Sequence, residues 1–320
     1  MDSFSKIRDY LSDLTGFTDV KRIEKGYSFE KKYILSGSCD QKYLLRIAEI
    51  PKGQSAAGKK AEFEVIGRAG QYSELVPKAH YFGVSDDDSL CYMLLDYIPG
   101  RDCEDALVEL SSDDQYSLGF DAGKELLKLH RLDAPEDMEE WHERYSSKYK
   151  RKCSVFDEYN IKSGIVDMEK VSRFIRASNS NMGCERQSFL HDDYHPGNLI
   201  VDKKKLCGII DFNRYDWGDP VHDFVKTAYF SSAVSIPFSV GQIDGYNGDE
   251  VSSEFWGKYS LYAAMMIVPD LVWSCWYSHQ VGSPEQAELS EERVRRVFWD
   301  HDGFDSEVPL WYRDYKGLWD

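Results

Sequence analysis

Residues 189 to 224, FLHDDYHPGNLIVDKKKLCGIIDFNRYDWGDPVHDF, constrain this chain more than any other stretch. A short apolar strand, 187 to 190, runs into the polar loop HDDYHPGN. Residues 198 to 201 then open a hairpin that returns through DKKK as residues 206 to 210. Such a hairpin carries Asn198 at one end and Asp211 at the other, so both side chains can reach one small volume. His191, Asp193, Asn198 and Asp211 thus fall in the order that phosphoryl transfer asks for: a carboxylate to take a hydroxyl proton, then oxygen ligands for magnesium. Asp192 and Asp193 compete for the base position, and the spacing selects Asp193, two after His191 and five before Asn198. Magnesium takes oxygen donors at about 2.0 to 2.1 Å, few of them from protein. A transition-metal cluster of His191, Asp192, Asp193 and His195 is the lesser alternative, because Pro196 and Gly197 suit a loop better than a helix-borne ligand pair.

The rest of the composition narrows the class. At 320 residues the chain is long enough for two domains, and 42% hydrophobic with 14% aromatic residues describes a globular protein. Its seven cysteines, Cys39 among them, are odd in number and never at metal-ligand spacing, which reads as reduced thiols. The charged start and the interruption of the apolar run 261 to 268 by Pro269 and Asp270 leave no signal peptide or membrane span, so a cytoplasmic enzyme is expected. The formal charge of −17 is uneven: residues 1 to 98 carry 14 basic against 15 acidic side chains, and residues 99 to 320 carry a net −16. That field argues against nucleic acid and anionic membrane as partners and favours a cationic substrate, although solubility alone explains many acidic chains.

In chain order, SFSKIRDYLSDLT (3 to 15) spaces Phe4, Ile7, Leu11 and Leu14 as a short amphipathic helix ended by Gly16. VKRIEKG, KKYILSG and KYLLRIA follow as an antiparallel meander. The first turn, Glu24 to Phe29, offers backbone amides to phosphate at Gly26 and Ser28, though an ordinary hairpin turn looks the same. Alternation in the third strand isolates one cation, Arg46, among Leu44, Leu45 and Ile47. Its expected partner is Glu62 on a helix over 55 to 69, with Phe63, Ile66 and Ala69 or Gly70 as the apolar side. A surface pair is the plainer alternative. After the strand CYMLLDYIPG, Pro99 and Gly100 mark a lobe boundary, where the main chain of Asp96 and Ile98 can meet an adenine edge and Leu95 can back the base. Beyond it the period is helical. A capping box at Ser112 to Gln115 begins a helix with Gly119, Ala122, Gly123, Leu126, Leu127 and His130 on one face, His130 as a hydrogen-bonded core residue. The run KYKRK (148 to 152) is flanked by acids and reads as a solvated helix face.

H-x-D-x-x-x-x-N followed by an apolar hairpin and D-F matches the protein-kinase arrangement of catalytic loop and metal aspartate. With HDDYHPGN at 191 to 198, IIDF at 209 to 212 and GDPVHD at 218 to 223, the chain resembles the aminoglycoside phosphotransferase family of the protein-kinase-like fold. The resemblance covers most of residues 20 to 230. It implies Asp193 as base, Asn198 and Asp211 on magnesium, His191 bracing the loop, and Asp223 holding that loop from a following helix. Two departures are plain: Asp192 stands where a small residue is usual, and Arg46 replaces the phosphate lysine, a fork for a point charge.

The expectation is an α+β, protein-kinase-like fold. An antiparallel β-rich nucleotide lobe with one helix spans residues 1–98, and a larger, mainly helical catalytic and substrate lobe spans 99–320. The expected activity is magnesium-dependent transfer of the γ-phosphate of ATP or GTP to a hydroxyl of a small cationic molecule, in a monomer or weak dimer. An aminoglycoside leads, with antibiotic resistance as the implied role. Macrolide, choline, homoserine and sugar-amine acceptors, and a catalytically silent nucleotide-binding pseudokinase, are the rivals. Carboxylates at Asp244, Asp249, Glu250, Asp300, Asp302, Asp305 and Glu307 would receive ammonium groups. Trp256, Trp273, Trp276, Trp299, Trp311 and Trp319 would offer sugar-stacking faces, unless they are core.

Overall fold

A computed structural model describes residues 3–24, 30–37, 41–159, 161, 164–248 and 250–318. The chain forms two compact units, Met1–Gly100 with Cys207–Asn213, and Arg101–Leu206 with Arg214–Asp320. The division at residue 98 read from sequence thus moves by two residues, and a returning segment joins the smaller unit.

In that unit, α1 (Arg8–Thr15) precedes β1 (Asp19–Ile23), β2 (Lys31–Ser36) and β3 (Lys42–Glu49). Then come α2 (Ala57–Ala69), β4 (Ala79–Val84) and β5 (Leu90–Asp96), and the antiparallel sheet runs β1-β2-β3-β5-β4. Side chains alternate across a strand, so Leu45 and Ile47 share one buried face with Tyr33, Leu35, Leu90, Tyr92 and Leu94. Ile7 and Leu11 close that face. Helix α1 starts five residues later than the spacing suggests, and Leu14 is 45% exposed. Alternation turns Arg46 to the opposite face, where α2 buries Glu62, Val65, Ile66 and Ala69. The apolar side of α2 is therefore rotated from the expected one: Phe63 is half-buried against Phe82. Asp96 donates its backbone N–H to Lys78 O at 2.9 Å, while the Ile98 N–H takes no backbone partner among the described residues.

The larger unit begins with β6 (Arg101–Asp102) and α3 (Cys103–Leu107). Helices α4 (Ser112–Leu129), α5 (Trp141–Glu158) and α6 (Met168–Ser178) precede the strands β7 (Ser188–Leu190) and β8 (Leu199–Asp202), and along β9 (Lys205–Ile209) the chain passes into the smaller unit. It returns to β10 (Asp216–Gly218), paired antiparallel with β7. The short α7 (Ser232–Val234), then α8 (Ile236–Asn247), α9 (Ser253–Val281), α10 (Glu285–Asp300) and α11 (Leu310–Lys316) complete it. The cap of α4 is Ser111 rather than Ser112: its Oγ accepts from Asp114 N. On α4, Gly119, Ala122, Gly123, Leu126 and His130 are buried as the spacing expects, whereas Leu127 is 38% exposed and Leu129 is buried in its place. Helices α4 and α8 pack backbone to backbone, and a Cβ on Gly123 would overlap the Gln242 carbonyl oxygen, which fixes glycine there.

Pro269 does not cut α9, which runs through it for 29 residues. A helix-interior proline costs about 3 kcal/mol locally, and packing against α5, α6 and α10 offsets it. Asp270 beside it is buried and bonded by Ser290 and Arg293. No helix among the described residues is long and apolar enough to cross a membrane.

Candidate active site

Two charge clusters, one in each unit, hold most of the residues expected from the sequence. In the smaller unit, β3 delivers Arg46 and α2 delivers Glu62, and their ion pair is 2.6 Å long. A second carboxylate, Glu30, lies 2.6 Å from Arg46 Nε, and Lys59 closes the group by pairing with Glu62 at 2.7 Å and with Glu30. The Arg46 side chain is only 5% exposed, so this is no surface pair. Burial alone would lower the guanidinium pKa; Glu30, Glu62 and Asp211 outweigh it and hold Arg46 firmly charged. Three buried polar atoms here lack a hydrogen-bond partner among the described residues, Arg46 Nη2, Asp211 Oδ1 and Glu62 Oε1, the last held instead by its ion pair with Arg46 Nη1. Asp211 also has φ +67°, a left-handed conformation that aspartate tolerates better than most residues. Its segment is tied to the unit by Ile209 N donating to Leu75 O at 2.9 Å. Leu95 is buried in the sheet, and the Asp96 carboxylate accepts from His80 Nε2 at 2.6 Å. Gly26 and Ser28 lie outside the described residues.

In the larger unit the loop between β7 and β8 holds the acids. Asp223, on a 3-10 turn over Pro220–Phe224, is fully buried and accepts from His191 N at 2.8 Å and Asp192 N at 2.7 Å. His130 Nε2 donates to the same carboxylate at 3.0 Å and meets the Tyr246 hydroxyl at 2.8 Å through Nδ1. Burial would raise the Asp223 pKa, but His130 and the loop N–H groups hold it down. The core histidine of α4 is thus also the brace of the brace. His191 is wholly buried, its ring edge-on to Tyr194 at 5.6 Å. Asp192 adopts φ +58°, which accounts for small residues being usual there, and turns its carboxylate to His222 at 3.4 Å.

Asp193 faces cations. Lys226 Nζ is 3.0 Å from its Oδ1, Arg214 3.7 Å and His195 3.8 Å. Asn198 Nδ2 donates to the Asp193 carbonyl at 2.9 Å and to its Oδ2 at 3.1 Å, which leaves the amide oxygen of Asn198 to offer elsewhere. Burial would raise the Asp193 carboxyl; Lys226, then His195 and Arg214, overturn that and keep it below the ordinary range. Burial pushes His195 down to about 4, so at pH 7 it is neutral and the two cations hold Asp193 alone. Lys226, its side chain 6% exposed, is absent from the sequence-derived set. Its signal is positional: it stands three residues after Asp223, on the same side of a helical turn. Thr227–Ser231 then forms a π-helical turn, a device frequent at functional sites.

Three of the seven carboxylates expected to receive ammonium groups are engaged. Asp244 is buried under Tyr116, Tyr312 and Lys316, Asp300 faces Arg296 at 3.8 Å, and Asp305 pairs with Lys170 at 2.6 Å. Trp256 and Trp311 are core, Trp276 and Trp299 are exposed, and Trp273 carries the Arg214 guanidinium 6.0 Å from its ring centre. Asp249 and Trp319 lie outside the described residues.

The sequence model of the phosphotransferase enzyme family matches residues 19–256. No curated protein matches the chain. Among solved structures, the GDP complex of aminoglycoside 2′-phosphotransferase-IIIa aligns with TM-score 0.63 at 16% identity, over 91% of this chain and 96% of that one. The streptomycin–ATP ternary complex of APH(2″)-IIa aligns with TM-score 0.62 at 16% identity, over 92% and 99%. APH(4)-Ia with AMP-PNP and hygromycin B aligns with TM-score 0.60 at 14% identity, over 91% and 97%. At these identities the likeness establishes the protein-kinase-like α+β fold, with its antiparallel N-terminal sheet and larger helical part.

Proposed function

The chain belongs to the phosphotransferase enzyme family and is a small-molecule kinase, and on that premise we propose that it moves the γ-phosphoryl group of ATP or GTP to an acceptor hydroxyl at Asp193. The observation that carries this reading is the cluster at Asp193, where a braced loop presents a partly buried, ionised carboxylate and Lys226 stands 3.0 Å from it. A carboxylate with so low a pKa is a weak base. That suits a loose phosphoryl transition state, in which the hydroxyl must be oriented early and gives up its proton late. The acceptor oxygen bonds the γ-phosphorus as the bond to the β-bridging oxygen breaks; the hydroxyl proton passes to Asp193, and a nucleoside diphosphate leaves.

Magnesium suits each of the two expected ligands taken by itself, Asp211 in the smaller unit and Asn198 in the larger one. Asp211 Oδ1 is buried without a hydrogen-bond partner among the described residues, and Asn198 keeps an amide oxygen free of the bonds to Asp193; both are the hard oxygen ligands the ion prefers. These two residues would hold it, and when bound it supplies charge neutralisation on the phosphate oxygens. Arg46, fixed by Glu30 and Glu62, adds a second positive charge with Nη2 still unpaired. Gly26, Ser28 and the main chain of Asp96 and Ile98 remain the proposed nucleotide contacts. His191 and Asp223 hold the loop so that Asp193 needs no reorganisation at the moment of transfer. The enzyme is taken to act in the cytoplasm as a monomer or weak dimer.

Aminoglycosides are the acceptors named in the structural neighbours and head the panel to be tried, with macrolides, choline, homoserine and sugar amines. Nucleotide consumption over that panel, wild type against Asp193→Ala, tests the reading. Turnover indifferent to the substitution removes Asp193 from the mechanism. No turnover with any acceptor, alongside a nucleotide-induced rise in melting temperature, favours a nucleotide-binding protein that does not catalyse.

A further inference from the structure

The charge around Asp193 is the reverse of what a polycationic acceptor needs. Lys226 is the close partner of the carboxylate. Arg214, at 3.7 Å, is held loosely and remains 43% exposed, its guanidinium over Trp273, which stacks on Tyr277 at 5.2 Å. Two further cations come from α5, one turn apart. Lys148 shares Asp216 with Arg144, and Arg144 is the closer of the two, 2.6 Å against 3.3 Å. Lys152 has no carboxylate within ion-pair distance among the described residues. It is half-buried, and burial, Lys148 and Arg214 together depress its pKa. The lysine run read from sequence as a solvated face thus supplies two members of a like-charged group that includes Arg214. The nearby acids are fewer: Asp193 is shared by Lys226 and Arg214, Asp216 by Arg144 and Lys148, and Asp192 faces the His222 ring. A surplus of partly desolvated cations over the acids beside them is a signature of a site whose ligand supplies further negative charge.

We propose that the hydroxylated acceptor of this kinase carries an oxyanion group, a carboxylate or a phosphate, which Arg214 and Lys152 receive beside the face of Trp273. The inference rests on Asp193 being the transfer site. Arg214 suits the role because its planar fork matches a carboxylate or phosphate bidentately. The oxyanion is unchanged in the reaction; it aligns the hydroxyl for attack on the γ-phosphorus. The net negative charge of the whole chain does not oppose this, since exposed charges beyond about 8 Å are screened at physiological salt.

The test is nucleotide consumption with magnesium and ATP or GTP over three acceptor sets. These are hydroxy acids and sugar acids; sugar phosphates; and cationic alcohols, comprising aminoglycosides and choline. The expected result is turnover confined to the first or the second set, which also tells carboxylate from phosphate. Arg214→Met and Lys152→Met are expected to raise KM for that acceptor at least tenfold while KM for nucleotide stays within twofold, with partial recovery in Arg214→Lys. Turnover of cationic alcohols, with a KM that neither substitution moves, overturns the proposal and leaves the kinase reading standing. Nucleotide-induced stabilisation with neither turnover of, nor further stabilisation by, any anionic acceptor also overturns the proposal alone. No consumption and no stabilisation by nucleotide overturn both.

Discussion

Arg46 and Asp193 are opposite solutions to one problem. Each is a charge taken largely out of water, and each is kept ionised by two groups of opposite sign. Arg46 is a cation between Glu30 and Glu62, each at 2.6 Å. Asp193 is an anion between Lys226 at 3.0 Å and Arg214 at 3.7 Å. The difference lies in what surrounds the pair. The acids on Arg46 are locked in turn by Lys59, so that cluster is closed apart from Nη2. Around Asp193 the second cation is half-exposed and over-supplied with like-charged neighbours, so that cluster is open. A closed cluster holds a shape, and an open one awaits a ligand.

The largest effect expected is at the open cluster. Asp193→Asn is predicted to lower kcat by about 10²- to 10⁴-fold, the range of a lost positioned base, and also to destabilise the fold, because Lys226 stays buried without its counter-charge. Adding Lys226→Met to it is predicted to restore the unfolding midpoint in urea but not the turnover. If the double variant is no more stable than Asp193→Asn, the two residues are not energetically paired. Next comes Arg46→Met, which leaves two buried carboxylates, Glu30 and Glu62, to share the single cation Lys59 and is predicted to cost about 3 kcal/mol of unfolding free energy. A loss under about 1 kcal/mol would mean that the cluster is wet, not closed.

Asp223→Asn tests the brace separately. The amide keeps one acceptor for the His191 and Asp192 N–H groups but leaves a buried group mispaired, at a cost of about 1–3 kcal/mol. Because His130 also loses its carboxylate, kcat is expected to fall with stability, and the two should not separate as they do for the Asp193 and Lys226 pair.

What was legible in the sequence follows the range over which each pattern acts. Asp193 and Asn198 sit on one loop, so linear spacing is enough to bring them together, 3.1 Å apart, and it is also what proposes Asp211 as their partner. Arg46 and Glu62 are joined by strand alternation and a helix turn, and the pairing of one cation with one acid could be read. Glu30 and Lys59 could not, because a buried arginine needs more than one counter-charge only once its burial is known. Lys226 reaches the base from 33 residues away, and its one local signal is its place a helical turn after Asp223. The acidic last third was misleading for the same reason: Asp244 and Asp305 look available in a list of residues and are bonded in the fold to Lys316 and Lys170.

Asp300 supplies the smallest and sharpest form of the comparison, being an aspartate with about the same side-chain exposure as Asp193 and the opposite response. Its one cation, Arg296, is 3.8 Å away and is shared with Ser232 and the Tyr229 carbonyl. Burial therefore wins and raises the Asp300 pKa to about 6, whereas the two cations at Asp193 win over burial there. The sign for stability follows. The folded state holds the Asp300 proton more tightly than the unfolded chain does, so its contribution is fully present below the unfolded value near 4 and is lost as pH rises to about 6. Asp300→Asn, which cannot ionise, should be more stable than wild type at pH 7, by on the order of 1 kcal/mol after the lost attraction to Arg296 is allowed for. The difference should shrink between pH 6 and 4. Urea unfolding at pH 7, 5 and 4 measures it. A gain that is the same at all three pH values would show that Asp300 does not titrate in this range, and that one distant arginine holds a buried aspartate as firmly as Lys226 holds Asp193.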